Sequence, residues 1–302
     1  MAENKKIYLI SGAVLLGVII VAGFILYTAL EQPVEHDGAY EFLGESNGVV
    51  LMADTGLNIE WLIDAEDGRR QIFERYRLVS KEDFDNFTDN EVQVNSIDIT
   101  KDNAEVFLTY PDSTREDIAS DVPYVRLSIL PPEQAGQYEL DIKLSSGQEY
   151  NFEFEFKVPK EVKLVSTGKT QTVQIPDAEY NILHRSEVAL HAYNLDDLNL
   201  NKASKVFHIT PGGSVYGGAS EEARANAGID DHFWFDIEMV EENYEAVQES
   251  IDNLQQMDRE ELGPTELDYL ERYERSTAFE HIFLAKVDGV WHYAKANYSE
   301  DF

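Results

Sequence analysis

The stretch from Tyr138 to Val158, Tyr-Glu-Leu-Asp-Ile-Lys-Leu-Ser-Ser-Gly-Gln-Glu-Tyr-Asn-Phe-Glu-Phe-Glu-Phe-Lys-Val, decides the fold. Tyr138, Leu140, Ile142 and Leu144 alternate with Glu139, Asp141 and Lys143; Tyr150, Phe152, Phe154, Phe156 and Val158 alternate with Asn151, Glu153, Glu155 and Lys157. A strand sends successive side chains to opposite faces, so each half predicts a strand with one buried and one wet face. Ser145-Ser146-Gly147 supplies the turn, and the whole reads as an antiparallel hairpin.

Working outward, Val106 to Tyr110 predicts another strand, and Val125, Leu127 and Ile129 one more, ended by Pro131-Pro132. Val49-Val50-Leu51-Met52 and the run from Leu57 to Ile63 flank Ala53-Asp54-Thr55-Gly56, a turn signal that suggests a hairpin. The polar segment Ser80 to Asn90 reads as a loop. Short strands with frequent turns predict an immunoglobulin-like β-sandwich over residues 38–159. The segment Pro131 to Val158 also resembles the last two strands of many envelope immunoglobulin-like modules, a resemblance that implies architecture and no activity.

Residues 160–302 mix strand and helix and predict an α+β domain. Glu161 to Ser166 and Thr170 to Ile175 flank Thr167-Gly168-Lys169 as a second expected hairpin; Val188 to Ala192 and Val206 to Ile209 read as strands. Ser220 stands where a helix cap belongs, before Glu221-Glu222, and Val240, Tyr244, Val247, Ile251 and Leu254 recur at helical spacing between Met239 and Met257. Leu262-Gly263-Pro264-Thr265 breaks that helix, with Thr265 as the expected cap of another running to Arg275. Asp288-Gly289, between His281 to Val287 and Val290 to Ala294, predicts a two-residue hairpin.

The N-terminus has a different texture. From Ile7 to Leu30 no residue is charged, and a helix of that length would run about 36 Å, enough to cross a hydrocarbon core of about 30 Å with some tilt. A cleaved signal peptide would have an apolar run of only about 7 to 15 residues and a small-x-small cleavage site. Residues 7–30 are therefore expected to be an uncleaved transmembrane helix in the lipid bilayer, with Tyr8 and Tyr27 at headgroup level and residues 31–37 as a polar linker. Lys5 and Lys6 precede the helix, whereas Glu31, Glu35 and Asp37 follow it. Basic flanks stay in the cytoplasm, so the expected topology is single-pass, with residues 1–6 a cytoplasmic tail and the ectodomain extracytoplasmic, in a periplasm or at the cell exterior.

The chain carries 58 acidic and 24 basic residues, a net charge of −34. That field excludes nucleic acid as a partner and opposes docking on an anionic membrane surface. It suits solubility in a salty medium, and it attracts divalent cations or a basic partner. Cysteine is absent, which excludes disulfides, thiolate metal sites and cysteine nucleophiles.

Signals for chemistry are sparse. His184, His191, His208 and His232 lack tight metal spacing, and no His-Glu-x-x-His occurs. Asp196 to Asn201 and Asp83 to Glu91 are acid-rich enough to suggest Ca²⁺, without the regular spacing of a calcium loop. The glycine-rich run Ile209 to Gly218 precedes the expected helix at Ser220 and suggests an anion cradle, but lacks the lysine of a phosphate loop. Asp230-Asp231-His232-Phe233-Trp234-Phe235-Asp236 places three aromatics among carboxylates, as sugar sites do. Asp231, His232, Trp234 and Asp236 are the candidate ligand-binding residues. No catalytic set emerges, and no cofactor is expected beyond Ca²⁺. The expected function is a non-enzymatic interaction protein, an accessory subunit or assembly factor binding another envelope membrane protein. A cation- or glycan-binding sensor, or a glycan-active enzyme using Asp231 and Asp236, is the alternative.

Overall fold

In the computed structural model, residues 41–61, 70–85, 96–174, 187–211, 213–259, 262–267, 270 and 280–297 are described, all within one compact unit, residues 36–302. The expected tail, transmembrane helix and linker, residues 1–37, lie outside them. Among the described residues no helix is long and apolar enough to cross a membrane.

The chain is mainly β. Its first part runs β1 (Glu41–Ser46), β2 (Val49–Trp61), β3 (Arg70–Ser80), α1 (Lys81–Asp85), β4 (Ala104–Thr109), β5 (Arg115–Asp117), β6 (Val125–Leu130), β7 (Gly136–Leu144) and β8 (Glu149–Phe156). The second part comprises β9 (Lys160–Glu161), β10 (Leu164–Val173), β11 (Val188–Leu195), β12 (Lys205–Ile209), β13 (Val215–Gly218), α2 (Glu221–Asn226), β14 (Phe233–Phe235), α3 (Ile237–Gln255), β15 (Glu280–Val287) and β16 (Val290–Asn297). The described residues form four sheets, in the orders β1-β2-β3-β6, β5-β4-β7-β8, β13-β12-β15-β16-β9 and β10-β11-β14.

The hairpin read from Tyr138 to Val158 forms as β7 and β8, with Gly147 at positive φ in its turn. Its apolar row, Tyr138, Leu140, Ile142, Tyr150, Phe152, Phe154 and Phe156, packs against Val49, Leu51, Tyr76, Leu78, Val125 and Leu127 of the first sheet. The intervening glutamates remain exposed on β8.

Two expected hairpins are instead single strands with bulges. Ala53-Asp54-Thr55-Gly56 lies inside β2, and both halves of β2 pair with β3 across a register shift between Ala53 and Leu57. Thr167-Gly168-Lys169 lies inside β10, whose two halves both pair with β11. Asp and Gly serve a bulge as readily as a turn, and the shared neighbour decides between them. The expected loop at Ser80 begins as helix α1, with the Ser80 hydroxyl accepting from the Asp83 N–H at 3.0 Å. Thr265 is not the cap of its helix: residues 264–267 are already helical, and the Gly263 N–H donates to Glu266 Oε2 at 2.8 Å. Pro264 thus holds the first helical position, where its missing N–H costs nothing.

The first and third sheets meet on a shared face. Along β3, Ile72, Glu74, Tyr76 and Leu78 follow the period of two. Tyr76 and Leu78 belong to the sandwich core, whereas Ile72 packs with Phe207, Ile209, Ile282, Leu284 and Trp291 of the third sheet. Core residues from either side of Pro159 therefore form one cluster. The third sheet's other face, Val206, Phe283, Ala285, Ala294 and Ala296, packs on Tyr193, Leu195, Phe233 and Phe235 of the fourth. Buried on both faces, β15 reads as the unbroken run His281 to Lys286.

Glu74 stands at the seam and is 1% exposed. Its Oε1 accepts from Lys286 Nζ at 2.8 Å and Lys205 Nζ at 3.1 Å, and its Oε2 from Trp291 Nε1 and the Tyr76 hydroxyl, each at 3.0 Å. Lys286 also meets Glu41 at 2.5 Å, and Lys205 donates to the Asp54 carbonyl at 2.6 Å. The bulge presents that carbonyl while the Asp54 carboxylate takes Arg77 Nε at 2.6 Å and Arg75 Nη2 at 3.2 Å. Burial works against the Glu74 charge, but Lys286 and Lys205 prevail and hold its carboxyl at about 2. The same burial drives the Tyr76 hydroxyl well up, with Glu74 adding to it.

Glu74→Gln leaves two buried ammonium groups facing an amide, and is expected to cost about 3–5 kcal/mol of stability, measured by urea unfolding. Because the folded-state pKa is depressed, the Glu74 contribution is complete above about 4.5 and is lost as pH falls toward 2, on the order of 3 kcal/mol in all. Stability curves of wild type and Glu74→Gln should therefore converge across that window.

Candidate functional site

Helix α2 is capped by Ser220, whose Oγ accepts from the Ala223 N–H at 3.0 Å. Arg224 anchors it from within: Nη2 donates to the carbonyls of Ala203 at 2.5 Å and Ala219 at 3.2 Å, and Nε to that of Gly218 at 3.3 Å. Gly228 at φ +69° ends the helical turn, and Ile229 bridges to Phe233. Between them, Asp230, Asp231 and His232 form a tight turn, in which the Asp230 N–H donates to the His232 carbonyl at 3.2 Å and the His232 N–H to Asp230 Oδ1 at 3.3 Å. β14 then pairs with β11, placing Phe233 opposite Tyr193, Trp234 opposite Ala192 and Phe235 opposite His191. Phe233 and Phe235 fill the core against Phe283, with ring centroids 4.9 and 5.2 Å away.

The structure brings together three of the four sequence-derived candidates. His232 is buried, its ring edge-on to Trp234 at 4.5 Å. Its Nδ1 lies 3.2 Å from Asp230 Oδ1 and also contacts Asp231 Oδ1. Asp236, by contrast, is buried directly before α3, at the position of a helix N-cap. Two further residues join the cluster. Asp230 is its third metal-ligand side chain, and Lys169 Nζ reaches Asp231 Oδ2 at 3.4 Å from the β10 bulge. Adjacency to Asp231 was the available signal for Asp230; Lys169 is 62 residues away and had none.

Burial pushes the Asp231 carboxyl up, but Asp230, His232 and Lys169 outweigh it and hold Asp231 below the ordinary aspartate value. Among the described residues, this is the one group of three or more His, Cys, Asp or Glu side chains with converging ligand atoms. The other histidines are dispersed. His208 Nε2 and His281 Nδ1 share a hydrogen bond at 2.8 Å within an aromatic stack with Phe283 and Phe235. His292 sits on the Val290 carbonyl at 3.1 Å, its pKa lowered by burial. His184 lies outside the described residues.

The other candidate loops are tied into the fold. Asn194 Nδ2 donates to the Leu198 carbonyl, and the Asn199 side chain accepts from the Asn201 N–H, so the Asp196 to Asn201 loop is bonded within itself. Of the Asp83 to Glu91 segment only 83–85 are described. The glycine-rich run is a β12–β13 hairpin, not a helix N-terminus: Thr210 and Gly213 close the turn, and Tyr216 and Gly217 lie in β13. A Cβ at Gly217, φ +107°, would collide with the Val206 carbonyl.

No family profile, curated protein or solved structure matches the chain.

The Asp231 carboxyl should titrate below the roughly 3.9 of a free aspartate, followed by carboxyl carbon NMR. Lys169→Ala should move that midpoint upward by removing a cation that favours the charged form.

Proposed function

We propose that this chain is a membrane-anchored extracytoplasmic interaction protein, an accessory subunit or assembly factor that holds its ectodomain near the bilayer through residues 7–30 and binds another envelope protein. The first two sheets support an immunoglobulin-like module. β2-β3-β6 facing β5-β4-β7-β8 matches the A-B-E and C′-C-F-G order of such sandwiches, with β1 added at one edge. The Tyr138 hydroxyl donates to the Gln134 carbonyl at 2.7 Å, the arrangement of a tyrosine corner at the start of strand F.

The observation that carries the reading is β10. It is ten residues long, lies at the edge of its sheet, and is exposed on both faces from Val165 to Thr172. Edge strands ordinarily carry charges, proline or bulges that discourage pairing; β10 has one bulge and one charge, Lys169, which is drawn to Asp231, and otherwise offers the neutral Ser166, Thr167, Thr170, Gln171 and Thr172. Among the described residues no strand pairs with its outer edge; such an edge accepts an added strand, and the acidity of the chain selects a partner whose extended segment is flanked by lysine or arginine.

Crosslinking and affinity recovery from intact membranes test this reading, with wild type expected to capture one envelope protein at constant ratio. Successive N–H groups of an edge strand point alternately to the sheet and away from it. Of Gln171→Pro and Thr172→Pro, one should therefore abolish capture without lowering the melting temperature, and the other should lower the melting temperature by breaking a bond to β11. Recovery of the protein alone, or capture indifferent to both variants, would sink the reading.

A further inference from the structure

We propose that Asp230, Asp231 and His232 form a binding site for one divalent transition-metal ion of the zinc, cobalt or manganese class. The ligand atoms of the three side chains lie within 4.8 Å of one another. Two donors held about 2.1 Å from a common ion stand about 3.0–3.4 Å apart; Asp230 Oδ1 and His232 Nδ1 meet that spacing at 3.2 Å, whereas Asp231 Oδ1 lies closer to Nδ1 and must swing back to share the ion.

The second observation is His232 itself. Its side chain is 5% exposed, and both ring nitrogens are buried without a hydrogen-bond partner. Nδ1 faces the two carboxylates at ion-pairing distance without a hydrogen bond to either. A buried imidazole left in that state is destabilising, and a metal ion on Nδ1 would satisfy that nitrogen with a bond of the right chemistry. The Trp234 ring forms the apolar wall behind the imidazole, and Lys169 takes Asp231 Oδ2, which leaves Oδ1 turned toward the site.

The donor set decides the class of ion. One imidazole nitrogen and two carboxylate oxygens suit zinc, cobalt or manganese, whereas Ca²⁺ requires six to eight oxygens. Three protein ligands in consecutive positions leave coordination sites for water or for a group on another molecule. Asp230 and Asp231 are 64% and 46% exposed, so those sites face solvent. The site does not depend on docking through β10.

The test is titration of the full-length protein with Zn²⁺ and with Co²⁺, read by calorimetry and by cobalt absorbance in the visible range. The expected result is one saturable site per chain, with visible bands of a nitrogen–oxygen environment and no displacement by millimolar Ca²⁺. Asp230→Asn should weaken binding at least about ten-fold, and His232→Asn should abolish the cobalt spectrum. Circular dichroism of the metal-free variants checks folding; should His232→Asn fail to fold, the exposed Asp230→Asn decides. Absence of saturable binding, equal displacement by Ca²⁺, or unchanged affinity in folded Asp230→Asn would overturn the proposal.

Discussion

A carboxylate with almost no access to water must be neutralised in place, and Glu74 is neutralised by residues that lie far away along the chain. Lys205 is 131 residues distant, Lys286 is 212 and Trp291 is 217. Replacing such a cluster with well-packed apolar groups is often neutral or stabilising, so its worth lies less in net energy than in geometry. Only one placement of the third sheet on the first lets β12, β15 and β16 satisfy the same carboxylate. The β2 bulge belongs to that requirement, because it turns the Asp54 carbonyl toward Lys205 while its carboxylate takes Arg75 and Arg77.

Once that seam is closed, the remaining layers follow. The third sheet gives one face to the first sheet and must cover the other, and the fourth sheet covers it with Phe233, Phe235 and Tyr193. Aromatics inside β14 point the preceding turn outward, so the anchoring of α2 by Arg224 and the packing of β14 together hold Asp230, Asp231 and His232 in place. The outermost strand, β10, has β11 on one side and, among the described residues, no strand on the other. Its bulge carries Lys169 to Asp231. The edge available to a partner and the cluster available to an ion are thus products of the same stacking.

What was legible in the sequence was what is local. The β7–β8 hairpin and the Asp288-Gly289 turn are set by near neighbours, and alternation is cleanest where one face is wet. The bulges at Asp54 and Gly168 were misread because the residue chemistry of a turn and of a bulge is the same; the choice rests with a neighbouring strand. The seam did leave a trace. Glu74 falls in phase with Ile72, Tyr76 and Leu78, Lys205 with Phe207 and Ile209, and Lys286 with Ile282 and Leu284. One acid and two bases on inward phases announce a buried ion cluster, although no pattern along the chain says which strands meet. At the candidate site the sequence named Asp231, His232 and Trp234 through the aromatic-acidic string, but it also grouped Asp236 with them. Asp236 is in phase with Trp234, but it lies beyond the end of β14 and directly before α3, where the strand's alternation no longer holds.

Electrostatics connects the interior to the surface. The chain has few basic residues, and several are withdrawn from the surface: Lys205 and Lys286 at Glu74, Arg75 and Arg77 at Asp54, and Arg224 on backbone carbonyls. The surface left behind is more one-sided than the composition suggests. A field of that sign raises the local concentration of any cation, whether a metal ion at Asp230 and Asp231 or a basic segment approaching β10, and it weakens as salt shortens the screening length. The field sets the encounter rate and the sign of the partner. Geometry sets the rest: a strand edge recognises an extended backbone, while a buried imidazole between two carboxylates recognises an ion that prefers nitrogen to a seventh oxygen. One acidic surface can therefore serve two ligands of unlike size without the sites resembling each other.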